Sequence, residues 1–177
     1  FSVLITYDKR LFINKRTFVY DKMVSLLPGN YVERNNSILL VVDAYDGKKN
    51  KDLAQCIYFK KEELVCVDLQ NSNAINGKNI NCVAMDMSGD GISELLSLEE
   101  NGYRIYSVKN NGVLYLEQKN AGSYFSSEIY PFPNDYNGDG KMDLLYYDPA
   151  MFWNVAISSG VGFLPPKRCT NNNLLRN

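Results

Sequence analysis

The chain has no histidine. That excludes a Ser-His-Asp or Cys-His nucleophile and any histidine-ligated zinc or iron site. Its four cysteines, Cys56, Cys66, Cys82 and Cys169, show no C-x-x-C spacing, so a zinc ribbon is not expected, and they are too sparse for a disulfide scaffold. Cys56 and Cys66 fall in neighbouring expected strands and could face each other, although buried thiols are the plainer expectation. No apolar run approaches the length of a membrane span. A formal charge of −1 with scattered lysines gives no electrostatic case for nucleic acid or an anionic membrane. No leader pattern is visible, because the opening FSVLITYD already reads as a strand. Six prolines are too few for a low-complexity chain. A sustained 3.6-residue period is also missing. YDKMVSLL (20–27) is the one candidate helix, with Pro28-Gly29 as its stop.

What is present points to strands. Thirteen tyrosines and eight phenylalanines suit pleated, half-buried surfaces, and 177 residues suffice for a core of ordinary size. The most informative stretch is DYNGDGKMD (135–143). Asp135, Asn137 and Asp139 offer side-chain oxygens at places one, three and five. Gly140 permits the sharp turn at place six, the carbonyl of Lys141 serves place seven, and Asp143 closes the set at place nine. Oxygen ligands at steps of two with a glycine at the sixth place are how a short loop wraps a hard cation such as calcium. Three carboxylates so close repel by about 4 kcal/mol per pair at 4 Å and an effective dielectric near 20, a cost that a divalent ion removes.

A second copy, DMSGDGISE (86–94), lies 49 residues upstream. Asp86, Ser88 and Asp90 take places one, three and five, the carbonyl of Ile92 place seven, and Glu94 place nine. A hydroxyl is the poorer ligand and Glu94 is one methylene longer, so lower affinity is expected here. A third stretch, DAYDGKKNKD (43–52), is degenerate: Asp43, Asp46 and Asp52 are spaced one residue too long and lie among Lys48, Lys49 and Lys51. Its plain reading is a salt-bridged turn. None of these is an EF-hand, which needs a bidentate glutamate at place twelve and flanking helices. Place twelve is Ser97 or Tyr146, and the residues that follow read as strands.

The loops belong to a longer repeat. LITYDKRLFIN (4–14) aligns without gaps with LLYYDPAMFWN (144–154), and related segments start near Leu53 and Leu95. In each copy an apolar strand enters the loop and another leaves it. The entering strands are ILLVV, NCVAM and IYPFP; the leaving ones are LAQCIYF, ELLSLE and DLLYYD. A turn and a third strand follow, then a glycine turn in NNGVLYL (110–116) and SSGVGFL (158–164). Four short strands in a period of about 40–50 residues is the arithmetic of a β-propeller blade. The expected organisation is a partial blade and connection at 1–37, a blade with the degenerate loop at 38–80, a blade with a calcium loop at 81–133, and a blade with the best calcium loop plus a tail at 134–177. With four incomplete copies, the chain reads as part of a larger propeller.

The pattern D-x-N-G-D-G-x-x-D-L-L, followed by a strand and a later G-x-G-F, resembles the FG-GAP/VCBS repeat, the blade unit of integrin α-like propellers. LLYYDPAMFWNVAISSGVGF is most similar to the propellers of RHS/Tc-type or bacterial surface proteins. The resemblance implies an all-β fold of four-stranded antiparallel blades with structural Ca2+ on the ten loop residues named above. It is specific for fold and calcium and not for activity; no catalysis is expected, because no base or nucleophile constellation remains outside the loops. The expected role is an interaction or shell module of a secreted or cell-surface protein, which is where calcium is millimolar. Its partner is another protein or the remainder of the same propeller. Neither nucleic acid nor membrane insertion is expected. One alternative is a carbohydrate-binding propeller using exposed aromatics, with Trp153, Tyr103 and Tyr124 as candidates. The other is a glycan-active enzyme using paired carboxylates, although the carboxylates of defined spacing sit in the metal loops. Asn35-Asn36-Ser37 is a glycosylation sequon, of consequence only on a secretory route.

Overall fold

The structure is a computed structural model and describes residues 3–5, 10–13, 16–19, 22–32, 34–45, 50–60, 63–71, 81–109, 112–121 and 124–170. Among the described residues it is all-β, without helix. A three-stranded sheet comes first, with β1 (Val3–Ile5), β2 (Arg10–Ile13) and β3 (Arg16–Val19) in that order. Three four-stranded antiparallel sheets follow. The first holds β4 (Lys22–Val32), β5 (Asn35–Tyr45), β6 (Asn50–Lys60) and β7 (Glu63–Asp68). The middle one holds β8 (Asn81–Met85), β9 (Glu94–Glu99), β10 (Gly102–Val108) and β11 (Leu114–Ala121). The last holds β12 (Tyr130–Asn134), β13 (Asp143–Tyr147), β14 (Trp153–Ala156) and β15 (Lys167–Arg168). Each is a plain meander, every strand pairing with its neighbour in sequence. These are propeller-like blades.

Successive residues of a strand point to opposite faces, and the middle sheet buries both. Leu95 and Leu96 are each 0% exposed. Leu95 joins Tyr106, Val108 and Leu114 in a core shared with Tyr31, Ala54, Cys56 and Leu69 of the preceding sheet and its exit. Leu96, Leu98, Tyr103 and Ile105 join a second core with Leu144, Tyr146 and Ala156 of the last sheet. Phe125 and Ile129, on the connection between those two sheets, fill the gap. Phe125 meets Tyr103, Tyr146 and Phe163 edge-on at 5.1–5.3 Å. A strand apolar on both faces shows imperfect alternation in sequence for this reason.

Four expectations are corrected. Residues 22–27 are strand, not helix: β4 pairs Met23 with Val42, Leu26 with Leu40 and Leu27 with Leu39. Pro28 lies inside that strand, tolerated because β4 is at the sheet's edge, where an absent N–H breaks no ladder. Cys56 and Cys66 do not face each other. Cys56 is opposite Val67 and Cys66 opposite Ile57, so the two thiols point to opposite faces. Burial pushes the Cys56 thiol up to about 12, which suits an inert core group. The sheets also begin earlier than expected. The strand before the degenerate loop shares its sheet with β4 from Lys22, not from 38, and the last sheet begins at Tyr130, where IYPFP enters the loop as expected, not at 134. Finally, the ungapped alignment of 4–14 with 144–154 puts strands in both copies but not one register. Leu4 pairs with Phe12, whereas Leu144 pairs with Ala156.

The aligned Asp and Asn of the last copy have a local task. Asp148 accepts from the Phe152 N–H at 3.0 Å and from the Asn154 amide at 2.8 Å, closing the β13–β14 turn around Met151, whose φ is 65°.

Candidate cation-binding loops

The two acidic loops occupy one position in two successive sheets: each joins the first strand to the second, β8 to β9 and β12 to β13. They are folded alike. Asp86 Oδ1 accepts from Gly89 N–H (2.8 Å) and Asp90 N–H (3.1 Å), and its Oδ2 from Gly91 N–H (2.8 Å). Asp135 accepts from Gly138 (2.7 Å), Asp139 (3.2 Å) and Gly140 (2.9 Å) in the same way. Asp90 Oδ1 accepts from Ile92 N–H and Asp139 Oδ1 from Lys141 N–H, at 2.8 and 2.9 Å. The ninth residue reaches back to the second: Glu94 Oε2 accepts from Met87 N–H at 2.9 Å, and Asp143 Oδ2 from Tyr136 N–H at 3.0 Å. The sixth-place glycines have φ of 85° and 84°, a backbone that a Cβ would strain. The strand–loop–strand setting excludes the EF-hand arrangement.

Three differences separate them. Asn137 Oδ1 accepts from Asp139 N–H at 2.9 Å, whereas Ser88 Oγ, at the matching place, is buried and has no partner. Asp143 is fully buried, and its second oxygen accepts from Ser158 N–H at 2.8 Å. Glu94 accepts one bond fewer, and burial pushes its carboxyl up to about 7. Asp139 is held below the usual carboxylate range by the Lys141 N–H and by the Lys141 ammonium, 3.0 Å from Oδ2.

The structure therefore brings Asp135, Asn137, Asp139 and Asp143 into one loop, and Asp86, Ser88, Asp90 and Glu94 into the other, each laced by N–H bonds. Among the described residues no three acidic or cysteine side chains converge as metal ligands would. Lys141 and Ile92 donate their N–H groups into the loops.

The third stretch stands elsewhere in its sheet. Residues 43–52 lie on the second connection: β5 and β6 continue in register through Asp43↔Asp52, Ala44↔Lys51 and Tyr45↔Asn50. Asp46, Lys48 and Lys49 lie outside the described residues. The true counterpart of the acidic loops in that sheet is the tight β4–β5 turn at Arg34, whose φ is 52°.

That turn touches the next loop. Arg34 Nε donates to the Asp90 carbonyl at 2.9 Å, while Asn30 N–H donates to Ser93 Oγ (2.9 Å) and Ser93 N–H to the Asn30 carbonyl (2.7 Å). The first acidic loop in turn touches the second, through Met142 N–H to the Asp86 carbonyl at 2.8 Å. These contacts come from residues 56 or more positions away, and no local signal in the sequence announces them.

A cavity of about 300 Å³ opens beside Glu94, bordered by Met87, Ile105, Gln118 and Glu117. Glu117 is engaged by Lys109 at 2.6 Å and Ser107 at 2.5 Å, which hold its carboxyl below the usual range. Of the aromatic candidates for sugar stacking, Tyr103 is 2% exposed and belongs to the core, whereas Tyr124 and Trp153 are exposed.

Residues 86–146 match the model of the FG-GAP-like repeat family. The matched segment runs from the first residue of one acidic loop past the last residue of the other, so the similarity takes in both loops. No curated protein matches the chain.

Proposed function

We propose that this chain is a calcium-stabilised, non-catalytic propeller segment, serving as an interaction or shell module of an exported or surface protein. The observation that carries the reading is that the two loops share the same N–H bonds to the side chains at places one, five and nine, at one position of adjacent sheets. Carboxylate, amide, hydroxyl and carbonyl oxygens, with no nitrogen or sulfur, form a donor set for a hard cation. The donor chemistry fits such an ion. A carboxylate has about four acceptor sites, so the two N–H bonds to Asp143 and the three to Asp135 leave room for it. The buried Ser88 Oγ would gain the partner it lacks. The Lys141 ammonium beside Asp139 marks where positive charge is wanted. Asp135, Asn137, Asp139, Asp143 and the Lys141 carbonyl would hold one ion; Asp86, Ser88, Asp90, Glu94 and the Ile92 carbonyl the other. Bound calcium supplies charge neutralisation, and the chain's own N–H bonds keep the oxygens in place.

The FG-GAP-like repeat family is generally non-catalytic. The last sheet supports the reading of the partner. Leu145 and Tyr147 stand 49 residues after Leu96 and Leu98, which are buried against the next sheet. Around them Phe132, Trp153 and Tyr130 are 48%, 43% and 70% exposed, with Trp153 within 5.7 Å of Phe132 and 5.2 Å of Tyr147. Such a face suits a further sheet of the same propeller or a protein partner. Millimolar calcium suits loops of this modest charge and favours an exported location.

The test is the thermal midpoint in EDTA against millimolar calcium. At 100-fold over its dissociation constant each site adds about 2.7 kcal/mol. Asp139→Ala should erase more of that gain than Asp90→Ala. Equal melting with and without chelator refutes the reading.

A further inference from the structure

The two loops are not independent. Met142, at place eight of the second loop, donates its N–H to the carbonyl of Asp86, at place one of the first, at 2.8 Å. The Asp86 N–H points back at Met142 Sδ, 3.4 Å away. Gly89 lies so close to the Gly140 carbonyl that a Cβ there would stand 2.9 Å from its oxygen. The Lys141 stem crosses the same gap, its Cγ 3.3 Å from that Cβ position.

Ser158 ties the arrangement together. It is 3% exposed and lies outside both loops. Its N–H donates to Asp143 Oδ1 at 2.8 Å, which fixes the ninth-place ligand of the second loop. Its hydroxyl donates to the Met87 carbonyl at 2.8 Å, inside the first loop. The N–H of that same Met87 donates to Glu94 Oε2. One residue thus spans the closing carboxylate of one loop and the carbonyl of Met87, the residue whose N–H holds the closing carboxylate of the other.

We propose that Ser158 is a positioning residue shared by both loops, and that through it and the Asp86–Met142 contact they bind cations as one cooperative pair. This rests on the calcium reading above. Ordering either loop fixes Asp86, Met87, Met142 and Asp143 together, so the ion that arrives second meets a loop already in place. Its ordering entropy has been spent by the first, which gives positive coupling without a change of fold. Coupling of this kind is reciprocal. The Ser158 hydroxyl touches no cation ligand side chain, and only its N–H meets one, Asp143.

The experiment is calorimetric titration of the full chain with calcium chloride: the unaltered chain, Ser158→Ala and Ser158→Thr, each alone and combined with Asp90→Ala or with Asp139→Ala. Each Asp→Ala chain reports the affinity of the loop left intact. The expected result is that the product of the two constants of the unaltered chain exceeds the product of the two single-loop constants by about 5-fold or more. Ser158→Ala should bring that ratio towards one while leaving two ions bound, and Ser158→Thr, which keeps the hydroxyl, should restore it. A ratio of one in the unaltered chain overturns the coupling and leaves the calcium reading standing. That comparison holds even if Ser158→Ala does not fold. An unchanged ratio in a folded Ser158→Ala removes Ser158 from the account. No heat at millimolar calcium in the unaltered chain overturns both readings at once.

Discussion

The loop at 135–143 and the loop at 86–94 share one backbone course and differ in how far their oxygens are satisfied before any ion arrives. In the second loop every side chain at places one, three, five and nine already accepts an N–H, and the Lys141 ammonium neutralises part of the charge. In the first loop the third-place hydroxyl has no partner and the ninth-place carboxyl is desolvated with a single N–H bond. The first loop has compensation from outside, since Arg34 and Asn30 hold its Asp90 and Ser93 against the preceding sheet. A preorganised loop spends little of a cation's binding energy on ordering itself. A loop with unsatisfied groups spends more of that energy on ordering itself, and so gains less stability at a given calcium concentration.

The largest effect expected from this contrast is at the ninth place. Asp143→Ala leaves the Tyr136 and Ser158 N–H groups without acceptors in a fully buried site, and should cost about 3 kcal/mol even in EDTA. Glu94→Ala removes one bond from a half-buried site and should cost about 1 kcal/mol or less. Urea denaturation of the two variants in chelator measures the gap. Equal losses would erase the distinction between the loops.

Next in size is a pH dependence. Burial raises the Glu94 carboxyl to about 7 in the folded chain. The folded state then holds more protons than the unfolded one between about pH 4.5 and 7, so this contribution to stability is complete below that window and is lost as pH rises through it. Linkage allows at most about 3 kcal/mol, and solvent screening at a partly exposed carboxyl reduces it to roughly 1–2 kcal/mol. In EDTA, Glu94→Gln should flatten this part of the profile, as should calcium in the unaltered chain. A profile unaltered by Glu94→Gln would assign the dependence to another group.

The smallest effect on stability sharpens the comparison from the other side. Lys141→Met removes a surface ion pair of little worth to stability, yet it takes a competing positive charge from Asp139. Calcium affinity of the second loop should rise several-fold with little change in melting in EDTA. Weaker binding would mean that the Lys141 side chain supports the loop instead of competing for it.

Much of this was legible in the sequence, for definable reasons. Ligands at steps of two with a glycine at place six leave little freedom, so both loops and their strand flanks could be read directly. The sheets were legible because Leu95-Leu96 and Leu144-Leu145 are apolar on both faces. The segment at 22–27 misled because Met23, Leu26 and Leu27 sit at helical spacing; pairing with β5 overrides that local pattern. The third loop was placed one connection too late, because an Asp-Gly stretch between two strands looks the same at either end of a strand. What could not be read at all are the contacts between sheets. Arg34 on Asp90 and Ser158 on Met87 span 56 and 71 residues of chain. A serine in an SSG turn carries no sign of which distant carbonyl it will meet.

The most direct measurement is the anomalous difference density of a crystal grown in calcium. Two peaks are predicted, one inside residues 86–94 and one inside 135–143, with Lys141 drawn off Asp139. Density at neither loop, with the Lys141–Asp139 pair intact, would contradict the account.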